Sequence, residues 1–573
     1  MTGAGAAPGE GPDPGTLVRP YTLTRGRTDA SWPPETVVSA VDRVPQQRGP
    51  RPAGDLPDDD LRRLAAAVRG PVWLPGDPGF AEEIASSYSA VVHRPRLLVG
   101  ARDTDDVAAA VAFAVARGLP VAVQATGHGA VRPVDDGVLV STRRMRSVRI
   151  DPAARTAAVG AGVVWSEVLA AAGPHGLAPL CGSAPGVGVV GYTLGGGISP
   201  LARTFGFTAD HVAGAEVVTA DGTVRWVDAD HEPELFWGLR GGKGNLGIVT
   251  GLVVRLFGLT SLTGGGLFFD GTRADDVLRA YPRWSAALGE KTTTSLSFSR
   301  LGHRTRGGEP PAVHLRVAHL GGDVDGLLAP MRALGPVLDT VAEMPYSAIG
   351  TIHDDPTEPA DVFKRGLLLA DLHPGVLDAV ARAAGPGAAE PVASVEIRHL
   401  GGAMARRPDP DNAVGGRDAA YGVFVVDTHA HADRVRRLVD ALQPYSTGAA
   451  VNFLGTVTES DVVATAWTPA DYRRLGALKA RVDPDEVFRF GYAVPARPEA
   501  EQPPEAQAIV AAARPWRSIA ELAAGTRLPL GVVRVLVSDL VEAGLVRVHR
   551  PGTGADTDQL ERVLRGLRRR LTA

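Results

Sequence analysis

From Pro95 onward the chain alternates short apolar runs with amphipathic stretches. Leu97–Val99 is apolar, Asp103–Asp106 opens a helix with Val107, Val111 and Val115 on one face, and Val121–Val123 is a second strand. This α/β rhythm, dense in glycine, runs to about Phe257. Beyond it, an amphipathic helix over Ala274–Ala287 alternates with strands such as Thr293–Ser299, Ala312–Ala318 and Gly422–Asp427, the pattern of an antiparallel sheet with helices on one face. After Pro495 the run PARPEAEQPPEAQ has linker composition, and a small helical region fills 505–573. There Ser518 and Glu521 have capping-box spacing. Val533, Leu536, Val537, Leu540 and Val541 recur at helical spacing, Gly544 stops the helix, and Leu545–Val548 starts a strand. This is the pattern of a winged helix-turn-helix. Residues 1–15 have nothing to bury and are expected to be disordered.

At 573 residues the chain exceeds one ordinary core, and 44% hydrophobic with 22% charged residues is a globular composition. A net charge of −4 with interspersed signs gives no global pull toward nucleic acid or membrane. One cysteine, Cys181, excludes an intramolecular disulfide and a Cys-rich metal site. Neither a secretory signal nor a membrane-spanning run is visible, so a cytoplasmic location is expected.

Three glycine clusters carry the candidate chemistry. The first is Gln124-Ala125-Thr126-Gly127-His128-Gly129, directly after a strand, where small residues let backbone N–H groups approach a pyrophosphate. The second is Gly186-Val187-Gly188-Val189-Val190-Gly191 with Leu194-Gly195-Gly196-Gly197-Ile198, and the third runs from Leu235 to Val249 around Arg240-Gly241-Gly242-Lys243-Gly244-Asn245. None has the strand–turn–helix setting of a dinucleotide fingerprint. Together and in this order, with Leu475-x-x-Leu478-Lys479-Ala480-x-x-Asp483-Pro484-Asp485-x-Val487-Phe488-Arg489 near the end, they resemble the vanillyl-alcohol-oxidase superfamily in its berberine-bridge-like branch. The resemblance spans about His93 to Pro495. It implies an α+β architecture: a two-part PCMH-type FAD-binding domain over 58–258, a substrate domain with an antiparallel sheet over 259–455, and a segment over 456–498 returning to the FAD domain. It also implies an FAD oxidase or dehydrogenase acting on a small alcohol, sugar or secondary metabolite by hydride transfer to flavin N5. Thr126, Gly127, His128, Gly129, Ala130, Ser141, Pro185, Gly188, Gly191, Gly195 and Ile248 are then the cofactor-binding positions, with covalent attachment through His128. No metal site is expected.

The chain departs from that family at several positions. Gln124 stands where arginine is frequent, Ala493 where asparagine is usual, and Ala184 at the position of a second tethering cysteine. Cys181 lies three residues too early, so attachment is expected at one point only. The family's Tyr-x-Asn reads Ala450-Val451-Asn452 here, removing the phenol that helps deprotonate substrate. Asn452 remains a catalytic candidate, and Tyr445 a substitute phenol. Glu396-Ile397-Arg398 reads as an ion pair on a strand face.

The segment 503–573 resembles the second half of an actinobacterial domain family (DUF742), and Leu17-Val18-Arg19-Pro20-Tyr21-Thr22-Leu23-Thr24-Arg25-Gly26-Arg27-Thr28, within 16–50, resembles its first half. The flavoprotein is thus expected to be inserted into one small winged domain, with Leu17–Thr28 pairing against the wing strand. Few basic residues lie on its second helix, which favours protein partners over nucleic acid. An alternative to the enzyme follows: a regulatory flavoprotein with weak or no turnover, acting through its winged ends.

Overall fold

The computed structural model describes residues 37–40, 56–300, 313–355, 358–496, 504–513, 517–542 and 546–549. The chain divides into two units, Met1–Asp42 with Glu501–Ala573, and Arg43–Ala500.

In the first unit the two chain ends share one sheet. Val37–Ala40 lies between Arg517–Ser518 and Val546–His549, antiparallel to both, with Val37 opposite His549 and Ala40 opposite Val546. The helices Pro504–Ala512, Ile519–Thr526 and Leu530–Glu542 bury Ile509, Ile519, Leu522, Val533, Val537 and Leu540 together with Val546. Ser518 and Glu521 form the expected capping box. The pairing of Leu17–Thr28 lies outside the described residues, as do Gly544 and Leu545; the strand beside Val546–His549 is Val37–Ala40.

The second unit holds three sheets. In the four-stranded sheet, Leu97–Gly100, Val138–Ser141 and Val121–Gln124 run parallel, with Val72–Trp73 antiparallel at the edge. Leu97–Gly100 and Val138–Ser141 are buried throughout, as apolar runs in a covered parallel sheet must be. Asp103 caps the following helix, Thr104–Val115, by accepting from Asp106 N. A five-stranded antiparallel sheet places Ile248–Arg255 between Thr156–Gly160 and Val212–Val218. One apolar core joins these two sheets and includes Leu475, Leu478, Val487 and Val494 from near the end of this unit.

The third sheet has nine antiparallel strands. Its centre is Val313–His319, Thr292–Ser299, Ser394–His399 and Tyr421–Asp427 in that order. Four helices, Ala274–Ala286, Val324–Arg332, Pro374–Ala384 and Ala432–Leu442, cover one face, with Leu296, Leu315, Val317, Val395, Ile397 and Val423 in the core between. Side chains alternate along a strand. Burying those residues turns Ser295, Arg316, Glu396 and Arg398 to the opposite face.

Candidate active site

Strand Val121–Gln124 delivers the chain into the first glycine cluster. Gln124 closes the strand end: its Oε1 lies 2.9 Å from His93 Nε2, and its Nε2 donates to the Ile84 and Ala85 carbonyls at 3.2 Å. Gly127 has φ +76°, and a Cβ there would stand 2.5 Å from Ser86 Oγ, so only glycine meets both demands. Ser87 donates to the Thr126 carbonyl from its N and Oγ, at 3.2 and 2.9 Å. Ala130 N closes the turn on the Gly127 carbonyl at 3.2 Å. His128 Nδ1 lies 3.0 Å from Ser87 Oγ and 3.3 Å from Thr126 Oγ1, and its ring stands edge-on to Tyr88. Burial first, then nearby Lys364, hold the imidazole below its ordinary pKa of 6.5, so it is neutral at pH 7.

The second cluster meets the first at Gly188, where a Cβ would lie 3.8 Å from the Ala125 and Thr126 side chains. Pro185 is fixed nearby by its carbonyl, which accepts from Ser166 N at 2.8 Å. Gly195 packs so closely on Asn452 that a Cβ would sit 2.1 Å from Oδ1. The third cluster supplies Lys243. Its Nζ donates to the Gly191 carbonyl at 2.9 Å and to Asn452 Oδ1, while Asn452 Nδ2 donates to the Tyr192 carbonyl at 2.8 Å. Ile248 is buried at the start of Ile248–Arg255, opposite Val218. The fold therefore brings the three clusters and Asn452 together. At Gly129, Gly186, Gly191 and Gly244 a Cβ would meet nothing within 4 Å, so the clusters present bare backbone to open space.

Two expected positions are placed otherwise. The Ser141 hydroxyl donates to Glu83 Oε1, and Glu83 is held by Arg144 at 2.6 Å, so this hydroxyl is already committed within the protein. Tyr445 stands apart from that convergence. Its ring stacks on His373 with centroids 4.8 Å apart and packs on the core beneath the helix layer, the face of the sheet away from Glu396 and Arg398. A residue in the turn after helix Ala432–Leu442 is carried with that helix, whatever its sequence distance from Asn452. Cys181 is buried, and burial pushes its thiol up to about 12, the state of an inert core residue.

Sequence reasoning passed over Lys364 and, on the polar face of the nine-stranded sheet, Arg316 and His353. Lys364 Nζ stands 3.5 Å from the centre of the Tyr88 ring and donates to its hydroxyl. Burial lowers Lys243 to about 8, and burial with Lys243's charge lowers Lys364 to about 7. Among the described residues neither ammonium has a carboxylate partner. The signal was present in Phe363-Lys364-Arg365-Gly366-Leu367, a basic pair entering an apolar strand. On the sheet, Glu396 binds Arg316 at 3.1 Å and Arg398 at 3.0 Å, and lies 3.4 Å from His353 Nε2. The ion pair expected for Glu396 and Arg398 is present, enlarged by two residues from other elements. Burial would raise the Glu396 carboxyl, but Arg398, Arg316 and His353 hold it well below its ordinary range. Beside it, Arg203 Nη1 donates to His399 Nε2 at 2.9 Å. Ile198, which ends the second glycine cluster, lines the cavity that holds Arg316, Arg398, His353 and His399.

Bare backbone beside two ammonium groups suits a large anionic cofactor, and FAD fits this donor set. Comparison with known proteins agrees. Residues 95–228 match the FAD binding domain family, and 472–570 match the protein of unknown function family DUF742. The (R)-6-hydroxynicotine oxidase of Paenarthrobacter nicotinovorans is 28% identical over 74% of this chain and 96% of its own length. The crystal structure of 6-hydroxy-D-nicotine oxidase from Arthrobacter nicotinovorans superposes with a TM-score of 0.66 at 26% identity, covering 75% of this chain and 98% of that one. The BBE-like 1 protein of Physcomitrella patens shares the fold, with a TM-score of 0.68 at 20% identity over 77% of this chain and 100% of that one. No helix among the described residues is long and apolar enough to cross a membrane. The chain thus carries an FAD binding domain and, toward its C-terminus, a DUF742 region, and along three quarters of its length it is similar to FAD-linked oxidoreductases.

Proposed function

We propose that the protein is an FAD-dependent oxidase or dehydrogenase of small alcohols, sugars or secondary metabolites, with its flavin attached covalently through His128 alone. The observation that carries this reading is the convergence of the three glycine clusters on one backbone-lined space beside Lys243 and Lys364. When bound, FAD supplies the hydride acceptor that no side chain can provide. The chain's own residues hold and orient. Thr126 to Ala130, Gly188, Gly191 and Gly195 let the cofactor approach the backbone, with Pro185 and Ile248 framing them. Lys243 and Lys364 place positive charge beside it, and electrostatic stabilisation of developing negative charge is a large contribution in such sites. Neutral His128 is in the form that can act as a nucleophile toward carbon. Asn452, fixed between Lys243 and the Tyr192 carbonyl, positions the Lys243 ammonium. With alanine at 450, no phenol is available there to take a substrate proton.

That loss favours a second reading, a regulatory flavoprotein with weak turnover whose winged-helix ends bind a protein partner rather than nucleic acid. The sheet shared by Val37–Ala40 and Val546–His549 supports one domain made from both ends. A single buried, unpaired cysteine supports a reducing compartment such as the cytoplasm. The test is to purify the protein, precipitate it with acid, and ask whether yellow colour stays in the pellet. Anaerobic bleaching by an added alcohol then separates enzyme from regulator. Colourless protein without FAD affinity removes both readings.

A further inference from the structure

The face of the nine-stranded sheet turned away from its helices carries a buried set of hydrogen-bonding atoms that the fold does not use. The strand register puts Ser295 opposite Arg316 on one side and opposite Arg398 on the other, so a hydroxyl stands between two guanidinium groups. All three line one cavity with Thr293 and His353. Among the described residues, Thr293 Oγ1, Ser295 Oγ, Arg316 Nε, Arg398 Nε and His353 Nδ1 are buried without a hydrogen-bond partner. A buried polar atom without a partner costs about 1–3 kcal/mol, so five in one cavity mark a place built for something else.

Their chemistry specifies the occupant. Arginine Nε is only a donor. His353 faces Glu396 through Nε2, which must carry a proton to approach a carboxylate, and burial keeps the ring neutral. Its Nδ1 is therefore an acceptor. No acidic side chain is among the residues lining the cavity. Arg316 and Arg398 both pair with Glu396, and Asp355, which also acts on Arg398, is bound by Ser183 Oγ at 2.6 Å. Guanidinium and hydroxyl donors without an acidic lining suit a small carboxylate.

We infer that this cavity binds a small carboxylate that also bears a hydroxyl, the carboxylate taken by Arg316, Arg398 and Ser295 and the hydroxyl proton by His353 Nδ1. This narrows the proposed function to a substrate class and rests on that reading for its catalytic meaning, but the binding itself does not depend on flavin. Ile198 joins the cavity to the second glycine cluster, and Arg398 lies 4.8 Å from the centre of the Phe453 ring, next to Asn452. The ligand site and the cofactor cradle are thus contiguous.

The experiment uses the full-length purified protein and calorimetric titration, with the flavin absorbance recorded in parallel. The probes are 2-hydroxy carboxylates from lactate to mandelate, each matched with the carboxylate lacking the hydroxyl and with the diol lacking the carboxylate. The hydroxy acid of at least one set is expected to bind about tenfold or more tightly than its diol, the loss expected for one charge-assisted contact. The plain carboxylate is expected between them. Ser295→Ala, which keeps every charge, should weaken the hydroxy acid several-fold, and Arg398→Met more. If Arg398→Met does not fold, the matched ligands on the wild-type protein decide. Diols that bind as tightly as hydroxy acids, or no binding by any hydroxy acid, overturn the inference. Colourless protein that still binds hydroxy acids would overturn the flavin reading and leave this one standing.

Discussion

The cofactor cradle and the ligand-facing sheet solve opposite problems. The cradle is made by leaving side chains out: Gly129, Gly186, Gly191 and Gly244 expose backbone, and Gly127 and Gly195 allow contacts that a Cβ would block. The sheet is made by putting charged side chains in, with Arg316, Glu396 and His353 buried beside half-buried Arg398 and several of their polar atoms unused. A cradle of backbone can serve any chain that needs the same cofactor. A buried charge cluster is specific to its ligand, because each charge is costly without a partner. The two halves should therefore fail differently when changed.

The largest contrast is expected at His128. His128→Ala should abolish the flavin fluorescence of the denatured protein in a gel, while Cys181→Ser leaves it intact. Retained fluorescence in His128→Ala would move the attachment point elsewhere. Next, Glu396→Gln leaves two buried guanidinium groups without their carboxylate and should cost about 3–5 kcal/mol of stability. Urea unfolding followed by tryptophan fluorescence measures this; a loss below 1 kcal/mol would mean the cluster is wet rather than buried. Gly127→Ala should cost about 1–2 kcal/mol from left-handed backbone alone, more with the Ser86 contact, and should weaken FAD retention where Glu396→Gln does not.

The two halves should also separate by pH. In the folded protein Lys364 and Lys243 lose protons near about 7 and about 8, against an ordinary 10.5. Between those values the unfolded chain binds more protons, so the cofactor-free protein should gain stability as pH rises from 7 toward 10. Buried His399 is lowered to about 3 from 6.5, so the sheet half should lose stability as pH falls through that interval. Urea midpoints across pH 5 to 9, with and without FAD, check both limbs: the cofactor should flatten the alkaline one. The smallest effect is expected for Tyr445→Phe, under about 0.5 kcal/mol and with no change in flavin reduction, since its neighbours are His373 and the helix-side core.

The sequence alone determined the glycine clusters and most of the elements. Glycine requirements are local, set by φ and by the nearest backbone, so Gly127, Gly188 and Gly195 announce themselves wherever they are read. Helix caps such as Asp103 and Ser518, and alternation in Tyr421–Asp427, are local as well. Tertiary structure alone decided the rest. Arg316, Ser295 and Arg398 come from three strands, and His353 from a helical turn far from Glu396, so only strand register makes them neighbours. The same holds for Lys364 against Tyr88, for Asn452 against Gly195, and for Val37–Ala40 beside Val546–His549. The place of Tyr445 was decided in the same way: closeness to Asn452 along the chain says nothing about which face of a sheet a side chain reaches.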